Sequence, residues 1–97
     1  MISPFNYVEQ LSPEDFRYQS ELRELHLGQN RLEVLPAGVF EYVVSLERLL
    51  LFSNNLERLE GMALRGLGNL SSLLLNNNVL KDVPHDAFVH VPNLRKL

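Results

Sequence analysis

Residues 22–45, LRELHLGQNRLEVLPAGVFEYVVS, decide the fold, because the two stretches after them repeat their pattern without a gap. Residues 46–69 read LERLLLFSNNLERLEGMALRGLGN, and residues 70–93 read LSSLLLNNNVLKDVPHDAFVHVPN. A fixed period of 24 residues marks one structural unit that cannot bury its apolar face alone and therefore stacks on copies of itself. Within each unit the run LxL alternates with period two, so Leu25 and Leu27 point one way while Glu24, His26 and Gly28 point the other, as a half-buried strand requires. Working outward, residues 1–21 carry the tail of an earlier unit, with Asn6, Val8, Leu11 and Phe16 in phase with Asn30, Leu32, Leu35 and Phe40. Residues 94–97 open a further one, so that residues 1–97 read as a single domain.

Stacking such units pairs the short strands in parallel, about 4.8 Å apart, and makes their leucines one continuous core. The expected architecture is an α/β solenoid, with a concave parallel β-sheet and a convex side of loops and short helical turns. Asn6, Asn30, Asn54 and Asn78 recur where each strand turns inward and its backbone groups leave the sheet. A side-chain amide both donates and accepts, so a stacked row of Asn can satisfy those groups, and the four are read as a structural ladder. Pro36 and Pro84 fix φ as the chain rounds onto the convex side, which Phe16, Phe40, Leu64 and Phe88 fill. The unit 46–69 departs from the pattern with Glu60 for Pro, Leu64 for Phe, and Gly61, Gly66 and Gly68. Its convex segment is expected to be the most mobile.

The shared pattern LxxLxLxxNxLxxL, followed by Pro and Phe, resembles the 24-residue leucine-rich repeats of extracellular proteins such as Toll-like receptors, insect cell-surface adhesion proteins and small leucine-rich proteoglycans. The resemblance covers nearly the whole chain. It implies a binding segment of an extracellular or cell-surface receptor that recognises a protein partner or apolar ligand on the concave sheet. A secreted or matrix scaffold and a cytoplasmic interaction module are the alternatives. Extracellular relatives carry cysteine-rich caps over the ends of their cores. The chain has no cysteine, and no cap or signal segment is visible in it, which suggests a piece of a longer ectodomain that could associate end to end.

Composition narrows the chemistry. A net charge of −3, with basic residues scattered singly, supplies no cationic stripe for phosphates and argues against a nucleic-acid partner. No apolar run is long enough to insert in a membrane. The motifs of phosphate loops, nucleophile elbows and zinc proteases are absent, and neither an enzyme nor a cofactor is expected. His26, His85 and His90 show no shared face with carboxylates at ligand spacing, so no metal site is expected.

Function in a solenoid falls to the side chains between the leucines, which the strands hold as a grid. One column places Glu24 beside Arg48, Ser72 and Lys96; the next places Ile2 beside His26, Leu50 and Leu74; a third places Gly28 beside Phe52 and Asn76. Leu50 and Leu74 are the two leucines outside the template. With Phe52 they predict an exposed apolar cluster, rimmed by His26, Arg31, Arg48 and Asn76, as the ligand-binding centre. Glu24 and Arg48, neighbours across strands, are expected to form an exposed ion pair. Asn69, Leu70 and Ser71 form an N-x-S sequon, which makes Asn69 a candidate glycosylation site.

Overall fold

The computed structural model describes residues 8–81, 83–84 and 86–94. Asn6, His85, Lys96, Leu97 and the grid positions before Val8 lie outside the described residues. Three strands, β1 (Glu24–His26), β3 (Arg48–Leu50) and β5 (Ser72–Leu74), form one parallel sheet in the order β1-β3-β5. Two shorter strands, β2 (Val34–Leu35) and β4 (Arg58–Leu59), pair in parallel as a second sheet. Partners are Glu24, Arg48 and Ser72 in one row and His26, Leu50 and Leu74 in another, the 24-residue register of the repeat. The chain is a leucine-rich-repeat solenoid with a parallel sheet. Among the described residues its convex side is built from turns and one short 3-10 helix, Pro13–Phe16.

The leucines explain the stacking. Leu25, Leu27, Leu49, Leu51 and Leu73 are all fully enclosed, so each strand buries one face against its neighbours and leaves the other to the concave side. Phe16 and Phe40 close the core from behind, their ring centroids 5.8 Å apart at a tilted 41°. Leu64 is equally enclosed in the third unit, whereas Phe88 is half-buried.

The Asn row shows how the chain leaves the sheet. Asn54 accepts from Leu32 N–H at 3.2 Å and donates to the carbonyls of Leu27, Leu51 and Phe52 at 2.9, 3.0 and 3.3 Å. Asn30 accepts from Val8 N–H at 3.2 Å and donates to Leu27 and Gly28. Asn78 accepts from both Asn54 N–H and Leu56 N–H at 3.1 Å and donates to Leu51, Leu75 and Asn76. Each amide thus ties its own turn to an adjacent repeat. The residue before each, Gln29, Ser53 or Asn77, takes a left-handed conformation with φ of 60°, 55° and 60°, a cost that the amide bonds across the turn offset.

Gly66 is more than the loose spot that its sequence suggests. Its φ is +97°, and a Cβ there would stand 3.2 Å from Glu41 Cα in the preceding repeat. A side chain at this positive φ is strained, and the Glu41 backbone would have to give by a few tenths of an ångström to admit it.

Candidate binding face

The concave sheet lines up short columns of side chains. His26, Leu50 and Leu74 share one row, and Glu24, Arg48 and Ser72 the adjacent one. His26, Leu50 and Leu74 are half-buried, Arg48 and Asn76 are exposed, and Ser72 is buried. The apolar cluster is therefore less open than the sequence suggests. Phe52 explains part of the difference: a Cβ on Gly28 would lie 2.6 Å from Phe52 Cζ, so the ring uses the space that the missing side chain leaves. The ring fills a gap in the grid instead of standing into solvent, and Phe52 is itself half-buried. Arg31 is exposed beyond the inward turn, where it lines a groove on the flank together with Glu33 and Arg58. The structure thus brings together His26, Leu50 and Leu74, sets Arg48 one row away, and places Arg31 in the wall of a different depression.

Charge on the face is organised around Glu24. Arg48 Nη1 lies 3.3 Å from Glu24 Oε2, and His26 Nε2 lies 2.8 Å from Glu24 Oε1. Residues 24 and 26 alternate with the buried Leu25 and so share the concave side, which brings one carboxylate against His26 where the sequence led to none being expected at ligand spacing. The His26 hydrogen bond and then the Arg48 charge hold the Glu24 carboxyl below its ordinary 4.5, against a weaker opposing effect of desolvation. Among the described residues no three His, Cys, Asp or Glu side chains converge as metal ligands. No helix among them is long and apolar enough to cross a membrane.

Asn69 is exposed, and its Nδ2 donates to Val44 O at 3.5 Å. Asn93, one repeat later, donates to Gly68 O at 2.8 Å. These two form a short second row of amides at the corner leading into the sheet, a role that their spacing of 24 residues could have revealed. Ion pairs repeat in the same way, since Arg23 meets Glu47 at 3.9 Å and Glu57 meets Lys81 at 3.5 Å, each across a full repeat.

Comparison with solved structures agrees with this geometry. The TLR13–ssRNA13 complex matches with a TM-score of 0.88 and 31% identity, over 91% of this chain and 12% of that one. The Drosophila Toll–Spatzle complex matches with a TM-score of 0.55 and 21% identity, over 91% of this chain and 15% of that one, and at this identity shows the fold alone. The chain thus spans less than a sixth of either structure. The first of these proteins was solved with single-stranded RNA, so the scattered charge of this chain is too weak a ground for setting nucleic acid aside. No curated protein sequence matches the chain. The family described as Leucine rich repeat matches residues 4–56 and again residues 45–97, and the chain is a member of that family.

Proposed function

We propose that the chain is a protein-binding segment of an extracellular or cell-surface receptor, and that it recognises its partner on the concave sheet. The observation that carries this reading is the row His26, Leu50 and Leu74, held side by side by strand register and only half-buried. Phe52 adds an aromatic anchor beside Leu50. Arg48 and Asn76 supply a polar rim. An apolar centre within a polar border is the usual anatomy of a protein-binding patch. The likeness to the TLR13 structure supports a receptor setting, outside the cell or at its surface. There Asn69, exposed at a corner away from the apolar row, would carry a glycan.

The test is a binding screen of the chain against a panel of extracellular proteins, with single-stranded RNA as a separate arm because that is the ligand in the TLR13 structure. The expected result is a protein that binds the chain and loses at least about tenfold in affinity to a Leu50→Ser, Phe52→Ser double variant, the scale of one well-buried anchor. Unchanged affinity in that variant would place the partner elsewhere. RNA binding without any protein hit would overturn the proposed ligand class.

A further inference from the structure

The second sheet has an edge that the repeat register leaves open. In the second full repeat Glu57 N–H and Arg58 N–H both donate to Glu33 O, at 2.8 and 3.4 Å, and Glu60 N–H donates to Leu35 O at 3.1 Å. Lys81 N–H continues the same stagger onto Glu57 O at 3.0 Å. One repeat earlier, the equivalent donors are Glu33 N–H and Val34 N–H, and the equivalent acceptor is Glu9 O. Among the described residues neither bond forms. The third bond of the set cannot form, because Pro36 stands where Glu60 does and has no N–H. Ser12 N–H, which follows the diverging segment, is turned back onto Asp15 Oδ2 at 2.8 Å by the capping box of the short helix. Arg31 N–H still reaches Val8 O at 2.9 Å, so the two repeats are joined at the inward turn and part immediately after it.

A groove of about 620 Å³ occupies the parting. Glu9, Gln10 and Leu11 form one wall, and Val34, Pro36 and Arg58 belong to the other. Arg58 has no acidic partner among the described residues. Two backbone donors in a cleft beside Arg58, which forms no ion pair among the described residues although Glu9 and Glu33 line the same groove, are complementary to a carbonyl oxygen next to a carboxylate.

We propose that this groove receives an extended, acidic peptide segment from a partner protein, which adds to the outer edge of β2 as a parallel strand. A carbonyl of that segment accepts from Glu33 and Val34 N–H, as Glu33 O does for Glu57 and Arg58, and an Asp or Glu on it meets Arg58. Backbone pairing along an exposed strand edge is a general mode of peptide recognition. This surface is the flank of the solenoid, not the concave face, so the inference is independent of the function proposed above.

The full chain is titrated with the acetylated, amidated pentapeptide Thr-Val-Glu-Val-Thr while the backbone amides are followed by NMR and hydrogen exchange. In the free chain the Glu33 and Val34 amides should exchange within the time of mixing, and saturation with peptide should slow them at least tenfold. Val34→Pro removes one edge donor and leaves the bonds from β4 to Glu33 and Leu35 in place, since proline is tolerated on an edge. This variant should melt like the parent and bind the peptide at least tenfold more weakly. A peptide with Lys in place of Glu should also bind more weakly. Slow exchange of both amides in the free chain would show that the seam is closed and overturn the proposal, whether or not the variant folds. So would unchanged affinity in a folded Val34→Pro chain, equal affinity for the Lys peptide, or peptide-induced shifts confined to the concave row.

Discussion

At position 24 a solvent-accessible carboxylate gives up its proton more readily than an ordinary glutamate, because His26 and Arg48 both favour its charged form. A carboxyl whose folded pKa is depressed contributes stability at pH values above the unfolded pKa, and loses it as pH falls through the folded value. The affected window is therefore acidic, below the ordinary 4.5, and neutral pH keeps the full contribution. An NMR titration should place the Glu24 midpoint below that value. It should rise in His26→Ala and, by less, in Arg48→Ala, since the hydrogen bond is the larger cause. A larger rise in Arg48→Ala would reverse the assignment. Asn54 is a second position at which a single side chain has measurable weight. Its amide is buried and touches four backbone groups in two repeats, so Asn54→Leu leaves several of them unpaired. The expected loss is at least about 1–3 kcal/mol in urea unfolding. A change below half a kcal/mol would mean that water or a shifted backbone replaces the amide.

The strands were legible in the sequence because two periods overlay each other there. Alternation assigns Leu25 and Leu49 to the core, and the 24-residue offset sets Leu50 beside Leu74 without any knowledge of the coordinates. The ion pair of Glu24 with Arg48 follows from the same two periods. The pairing of His26 with Glu24 was equally available, because residues two apart on a strand share a face. Other contacts leave no trace in periodicity. Phe52 lies over Gly28 because a neighbouring strand lacks a side chain, and the seam at the β2 edge lacks one bond of its set because Pro36 has no N–H to give. For the glycines of residues 46–69 composition does not separate slack from close approach: Gly66 stands near Glu41, whereas a Cβ on Gly68 would meet nothing. For Gly66 the two readings predict different outcomes. If its positive φ and its contact with Glu41 matter, Gly66→Ala should cost about 1–3 kcal/mol. If the segment is merely loose, the same substitution should stabilise the chain slightly by restricting its unfolded state. Urea unfolding of this one variant separates the two cases.

Over the whole molecule, stability should behave as a sum over repeats and the interfaces between neighbours, because each repeat touches only the adjacent ones. The column Leu32, Leu56 and Leu80 tests this with the chemistry held constant. Leu32 and Leu56 are fully enclosed, whereas Leu80 is half-buried. Leu56→Ala removes a side chain packed on all sides and should cost about 2–5 kcal/mol. Leu80→Ala should cost distinctly less, because part of its surface already meets water and the space it vacates is open to solvent. Leu32 and Leu80 stand two repeats apart with Leu56 between them. The double variant Leu32→Ala, Leu80→Ala should therefore lose the sum of the two single losses to within about 0.5 kcal/mol. Leu32→Ala combined with Leu56→Ala should depart from additivity, since those two repeats share an interface and the second truncation enlarges a space already opened by the first. Equal losses at Leu56 and Leu80, or strong coupling between Leu32 and Leu80, would mean that the stack responds as one globular core and that its repeats are not separable units of stability.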